Sequence, residues 1–406
     1  MSTIVMKFGG TSISNLEKIK NISNRIKREL KKNKKVFVVV SAMGKTTDQL
    51  IKKFFVVKKD IFNAEYDSVI STGEQLSAGL LAAFLDENKI SARSLLGWQI
   101  PIITDSFHGK ARITDIPTKF IKELFKTYDV LVMSGFQGIS KCNRITTLGR
   151  GGSDTSAVAI AAALKAEICE IYTDVEGIYT ADPRKVKKAK KISQITYEEI
   201  LEMSSLGSKV LEPRSVELAM KYDIKVHVRS SFNNKKGTIV LSEEKNLEKA
   251  LVTGISSSDE DAKITLIGIQ DTPGVANKIF SPLASANINV DMIVQNITDD
   301  GRLTSLTFTV ATSECEKAVK KLKLSNIKFN KIHVDKKISK VSIIGVGMRS
   351  HVGVAKKMFE TLAKNNINIQ VISTSEIKIS VLISSSSKKI ALNALHKVYG
   401  LDKSFD

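Results

Sequence analysis

The chain has 406 residues, 42% of them hydrophobic, which is material for more than one sizeable core and excludes a single small module. Its net charge of +20 suggests an anionic partner, but the excess is spread, +13 over residues 1–250 and +7 over 251–406, with no tail or stripe. The densest basic runs, Lys31–Lys35 and Lys185–Lys191, carry no aromatic residues to stack on bases, so neither nucleic acid nor a membrane is expected as a partner.

Cys142, Cys169 and Cys315 are widely spaced and lack a CxxC pair, which argues against a disulfide framework or a zinc site and fits a reducing, cytoplasmic setting. No apolar run approaches the roughly 18–20 residues of a membrane span, and the first apolar strand starts too close to Met1 for a signal peptide.

Along the chain, Thr3–Phe8 reads as a short strand, followed by Gly-Gly-Thr-Ser and a lysine-rich helical pattern to about Glu29. Val36–Val40 is a buried strand. Strand-like Val130–Met133 and Glu170–Thr173 then alternate with helical Glu74–Leu85 and Asp154–Leu164, the pattern of a mostly parallel sheet between helices. Residues 1–245 are therefore expected to form one α/β domain. Beyond the charged segment Ser230–Asn246 two similar stretches follow, βαββαβ over 262–336 and βαββα over 338–406. Asp271–Ala276 aligns with Ser350–Ala355, and Asn287–Val290 with Asn366–Ile369. The second copy lacks a last strand, and the apolar run Ala250–Ile255 lacks a partner. Residues 250–257 are expected to supply that strand, with the first copy inserted into the second.

Three segments carry candidate chemistry. Lys7-Phe8-Gly9-Gly10-Thr11-Ser12 ends the first strand in a glycine turn whose N–H groups can approach an anion, although a tight strand-to-helix turn would use the same glycines. Lys7, at the end of a buried strand, needs a countercharge. Gly149-Arg150-Gly151-Gly152-Ser153-Asp154-Thr155 leads into a small-residue helix; Ser153 or Asp154 can serve as its N-cap, while Arg150 suits bidentate capture of a carboxylate. Tyr172–Arg184 starts where open α/β sheets place ligands, with Asp174 and Asp182 readable also as turn formers.

Together with Val40–Asp48, Ser71–Gly79, Gly135–Gly138, Thr147–Thr155 and Gly207–Ala219, these segments resemble the bacterial-type aspartate kinases of the amino acid kinase superfamily, in order and over nearly the whole chain. The C-terminal copies resemble paired ACT domains, βαββαβ modules that bind amino acids.

The resemblance implies transfer of the γ-phosphoryl group of ATP to the side-chain carboxylate of L-aspartate, the first step toward lysine, threonine and methionine. It assigns aspartate to Ser41, Thr47, Glu74, Arg150, Gly151, Gly152 and Ser153, and the nucleotide to Phe8, Gly9, Gly10, Thr173, Asp174, Tyr179, Asp182, Arg184 and Lys209. Lys7 would hold the migrating phosphoryl group with Asp154 orienting it, since a carboxylate nucleophile needs no general base. Mg²⁺ is expected on the phosphates, with no protein ligand assigned.

An effector, lysine or threonine, is expected where the copies meet. The pocket would use Asp271, Gly274, Val275, Ala276, Asn289, Asp291 and Gln295 with Asn368 and Ile369, a helix opening at Pro273 taking the carboxylate and Asp271 or Asp291 the ammonium. Exposed sheet edges predict a homo-oligomer, at least a dimer, held through residues 250–406. A kinase for another acid such as glutamate, and a non-catalytic amino-acid sensor, are the alternatives.

Overall fold

The computed structural model describes residues 2–32, 34–59, 62–206, 210–242, 251–297, 303–325 and 327–403. In the N-terminal domain the strands are β1 (Thr3–Phe8), β2 (Lys35–Val40), β3 (Ala92–Leu95), β4 (Ile103–Thr104), β5 (Ile113–Asp115), β6 (Val130–Ser134), β7 (Gln137–Ser140), β8 (Ile145–Thr147), β9 (Ile168–Thr173), β10 (Gln194–Thr196), β11 (Val226–Ser230) and β12 (Thr238–Leu241). The helices are α1 (Leu16–Leu30), α2 (Thr46–Val57), α3 (Ala64–Ile70), α4 (Thr72–Glu87), α5 (Lys119–Thr127), α6 (Gly152–Leu164), α7 (Tyr197–Ser205) and α8 (Pro213–Lys221).

An eight-stranded sheet runs β10-β12-β11-β9-β1-β2-β6-β3, parallel throughout except at β11 and β12, and a four-stranded sheet β5-β4-β7-β8 lies beside it. Burial on both faces explains why β2 is an unbroken apolar run. Alternate residues of the central strands feed two cores: Val5, Val39 and Met133 pack with Ala157, Val158 and Ala161 of α6, whereas Met6, Val38 and Val132 pack with Ile22 of α1 and Leu81 of α4. Lys7, two residues beyond Val5, therefore falls on the α6 face.

The C-terminal part contains β13 (Gly254–Ser258), β14 (Asp261–Gln270), β15 (Val290–Ile297), β16 (Leu303–Ala311), β17 (Lys331–Asp335), β18 (Ile338–Ile344), β19 (Val371–Thr374) and β20 (Lys378–Ser384), with helices α9 (Val275–Ala284), α10 (Cys315–Leu324), α11 (Val354–Lys364) and α12 (Lys388–Val398). One sheet is β15-β16-β14-β17; the other is β13-β18-β20-β19, in which Gly254 to Ser258 pair antiparallel with Ile344 to Lys340. The repetition extends to single backbone angles. Gly274 and Gly353 take φ of 87° and 93° at the heads of α9 and α11, and Asn287 and Asn366 take 55° and 54° after them. The helix expected to open at Pro273 begins at Val275, because Gly274 occupies the left-handed cap position.

The two modules meet along Met292 and Val294 against Val371 and Leu382, and through Lys340, which reaches Asp291 at 2.9 Å and Asp261 at 3.4 Å. The second module also packs on the N-terminal domain, where Ala181 and Val186 enter its apolar core. No helix among the described residues is long and apolar enough to cross a membrane.

Candidate active site

The carboxyl ends of β9, β1, β2 and β6 lie side by side, and backbone bonds knit the loops that leave them. Gly9 N–H donates to Tyr172 O at 3.3 Å, Ser41 N–H to Phe8 O at 3.0 Å and Gly135 N–H to Val40 O at 3.0 Å. Because β1 leads to β2 on one side and pairs with β9 on the other, this edge is a topological switch point, where open sheets bind ligands. The Gly9-Gly10 turn enters a single 3₁₀ turn, Gly10–Ile13. A Cβ on Gly10 would lie 2.5 Å from Ala42 O, so a glycine is required for the turn to sit this close to the loop after β2.

Lys7 meets its countercharge on α6. Its ammonium lies 2.6 Å from Asp154 Oδ1, both side chains being 12% exposed. The helix cap differs from the sequence expectation: neither Ser153 nor Asp154 caps α6. Gly151, at φ 66°, does so without a side-chain bond, leaving both side chains in the first turn and Asp154 turned to Lys7. Ser153 and Asp154 are buried, whereas Arg150 is exposed. The sequence reading missed Glu212, at the head of α8. It packs against Gly151 so closely that a Cβ there would lie 2.6 Å from its own Cβ. Burial and the Asp154 charge raise the Glu212 carboxyl, while Arg150 and Arg214 lower it.

Glu74, in the first turn of α4, is 3% exposed. Its Oε1 accepts the Ala42 N–H at 3.1 Å, but the buried Oε2 has no hydrogen-bond partner. Burial pushes this carboxyl up to about 7, the Ala42 bond opposing. A buried, unpaired carboxylate oxygen is costly and is suited to an ammonium from a bound molecule. Ser41 follows β2 directly, and Thr47, partly buried, lies in the first turn of α2.

On the β9 side, Phe8 and Tyr172 stack with centroids 4.7 Å apart, and Tyr172 donates to Glu170 at 2.6 Å. Although burial raises Glu170, its bonds to His227, Tyr172 and Arg229 hold it near 2. Thr173 and Asp174 follow, then Tyr179, whose hydroxyl lies 3.4 Å from Glu176 Oε2. Asp182 and Arg184 form a surface pair with two bonds of 3.0 Å. Asp174, Tyr179, Asp182 and Arg184 line a cavity of about 510 Å³ whose far wall is Ile255, Ser257 and Leu392 of the second module. Lys209 lies outside the described residues.

The effector candidates are only partly brought together. Gln295 Nε2 reaches Asp271 Oδ1 at 3.3 Å, on the side where Gly274, Val275 and Ala276 open α9. Asp291, offered as an ammonium acceptor, is occupied by Lys340, and that pair, with burial opposing, holds its carboxyl low. Asn289 and Asn368 sit just before β15 and β19, Asn368 is exposed, and Ile369 packs on the core of its own module.

Residues 2–230 match the amino acid kinase family, and residues 264–324 and 341–399 match the ACT domain. An aspartate kinase of Pseudomonas putida (strain ATCC 47054 / KT2440) is 47% identical over 405 residues, covering 99% of this chain and 98% of the relative. The chain belongs to the aspartate kinases. An aspartokinase of Geobacillus stearothermophilus is 44% identical over 401 residues, 99% of this kinase and 98% of the relative. Among solved structures, E. coli aspartokinase III in complex with aspartate and ADP, in its R-state, superposes with a TM-score of 0.81 at 25% identity, over 97% of this kinase and 99% of that chain. The T-state complex of the same E. coli enzyme with lysine and aspartate gives a TM-score of 0.75, at 25% identity over 97% and 98%.

Proposed function

We propose that this protein phosphorylates the side-chain carboxylate of L-aspartate with ATP, giving 4-phospho-L-aspartate, and that its ACT modules regulate the reaction by binding an amino acid. The observation that carries this reading is the buried, unpartnered Glu74 Oε2 on the same sheet edge as the Lys7–Asp154 pair, one suited to an α-ammonium and the other to a phosphoryl group in transfer. The reaction joins two anions, so the protein's task is to align them and neutralise their charge.

In this reading Arg150 and the Gly151-Gly152-Ser153 turn hold the α-carboxylate, Glu74 the ammonium, and Ser41 and Thr47 complete the aspartate site. Phe8, Gly9 and Gly10 shape the phosphate turn; Thr173, Asp174, Tyr179, Asp182, Arg184 and Lys209 surround the nucleotide. Lys7 neutralises the developing charge and Asp154 aims it. Mg²⁺ is proposed to be carried mainly by the phosphates of the nucleotide. Bound there, it supplies further neutralisation of phosphate charge.

The working domain division is 1–245, then 262–336 inserted between 250–257 and 338–406. Lysine or threonine is the effector class proposed, with a cytoplasmic homo-oligomer joined through the ACT region. A hydroxamate assay for acyl phosphate, with L-aspartate, L-glutamate or no acid, tests the reaction: product with aspartate alone is expected, and none with aspartate would overturn it. Repeating it with each amino acid identifies the effector.

A further inference from the structure

The cavity lined by Asp174, Tyr179 and Arg184 has a direction. One part of it adjoins the Gly9-Gly10 turn, because Asp174 follows closely on Tyr172, whose carbonyl accepts the Gly9 N–H at 3.3 Å. The far wall is Ile255, Ser256 and Ser257 of β13 with Leu392 of α12, all from the second ACT module. At about 510 Å³ the space has the size of a small-molecule site, and such sites favour junctions between domains and combine apolar walls with a few polar groups.

That wall is fixed to the N-terminal domain at three points. Ile255 N–H donates to Thr180 O at 2.7 Å, Lys185 Nζ donates to Ser257 Oγ at 3.1 Å, and the Ser256 hydroxyl donates to Leu206 O at 2.9 Å. Thr180 and Lys185 bracket Asp182 and Arg184 in the chain, so β13 is bonded to the segment that carries the polar lining. Because Ser257 accepts from Lys185, its own hydroxyl hydrogen is left for another acceptor. The two sides differ in chemistry. Asp174, Asp182 and Arg184 present charge, whereas Ile255 and Leu392 belong to the apolar core of their module.

We infer that the purine base of the bound nucleotide rests on this wall, which makes Ile255, Ser257 and Leu392 of the second ACT module nucleotide-binding residues; this rests on the assignment of the nucleotide to the Tyr172–Arg184 loop. With the phosphates at the Gly9-Gly10 turn, the rest of the molecule extends along the cavity away from that turn, and the second module is what it meets. The base is the part of ATP that gains from leaving water, and Ile255 and Leu392 supply the apolar surface that the charged loop lacks. The Ser257 hydroxyl can donate to a ring nitrogen. The regulatory module thus completes the substrate site.

Ser257→Leu puts a larger side chain at a partly exposed position of the wall, and Leu392→Ala removes part of the wall. In the full-length protein both are expected to weaken ADP roughly tenfold in calorimetric titration and to raise KM for ATP similarly. The inhibition constant of inorganic tripolyphosphate, which has no base, and KM for L-aspartate should each stay within about twofold. Leu392 is a core residue, so Ser257→Leu decides the question if the other variant does not fold. Unchanged ADP affinity in Ser257→Leu, or ADP and tripolyphosphate weakened equally, would overturn the inference. Wild-type protein that does not bind ADP would overturn the nucleotide assignment beneath it.

Discussion

Glu74 ties stability to pH in a direction that can be worked out. Its carboxyl is raised from an ordinary 4.5 to about 7 by burial, so the folded, ligand-free protein holds this proton more tightly than the unfolded chain. The stability this contributes is complete below about 4.5 and is lost as pH rises through about 7. Glu74→Gln should therefore raise the ligand-free Tm at pH 8, by an amount equivalent to no more than about 3 kcal/mol, and leave it unchanged near pH 4.5. Calorimetry across that window would show it; a Tm difference independent of pH would refute it. At the reacting centre, Lys7→Ala should lower kcat far more than it raises KM, because its contact strengthens as charge moves. Arg150→Ala should mainly raise KM for aspartate, by the equivalent of about 1.5–3 kcal/mol. Identical kinetic signatures would defeat that division. Lys7, Glu74 and Arg150 were legible because each sits in a motif where its charge demands a partner. Glu212 and Arg214 were not: they stand together at the head of α8, but their partners Gly151, Leu148 and Ala111 lie far away in the chain, and only packing shows them.

At the level of elements, the Gly9-Gly10 turn depends on how closely β1's exit approaches the loop after β2. Gly10→Ala would place a methyl against the Ala42 carbonyl, and the turn must open to admit it. The expected outcome is a large loss of turnover with a Tm fall of only a few degrees, as measured by steady-state kinetics and thermal melts; wild-type turnover would show that the turn tolerates the shift. The strands and helices around this turn were readable from apolar runs and glycine punctuation. The tandem copies were readable from their aligned turns, down to the left-handed Asn287 and Asn366. Lys141–Asn143 closes the turn between β7 and β8 because Asn143 takes φ 57°. What the pattern withheld was the occupancy of Asp291, since a lysine in β18 gives no sign of which strand it will meet.

Across the whole molecule, the Tyr172–Arg184 loop and the second ACT module share bonds that no local pattern announces. Thr180 Oγ1 lies 2.9 Å from His396 Nε2 on α12 and accepts the Lys190 N–H at 3.0 Å, while Thr180 O accepts the Ile255 N–H at 2.7 Å. Glu199, whose carboxylate accepts the N–H of the α7 cap residue Thr196, also receives Val346 N–H at 3.0 Å and the Thr253 hydroxyl at 2.6 Å. Effector binding can change catalysis only through contacts that differ between states, and these bonds join the two regions. His396→Leu is expected to weaken inhibition by the effector amino acid by about 1–3 kcal/mol of coupling while basal turnover stays within about threefold. Inhibition curves of wild type and variant decide it, and superimposable curves would exclude this route.

The pairing of β13 with β18 also fixes an order of events during synthesis. Gly254 leaves the ribosome long before Ile344, its partner, and the whole first module, 262–336, is made in between. That module can close on itself as soon as β17 is available, but the second cannot finish its sheet until a strand laid down earlier meets one made later, a slow, non-local step. Meanwhile β13 can rest on the completed N-terminal domain through Thr180 and through Ser256, whose hydroxyl donates to Leu206 O at 2.9 Å. Chain order and these contacts together let the N-terminal domain hold β13 until its partner strand has been made.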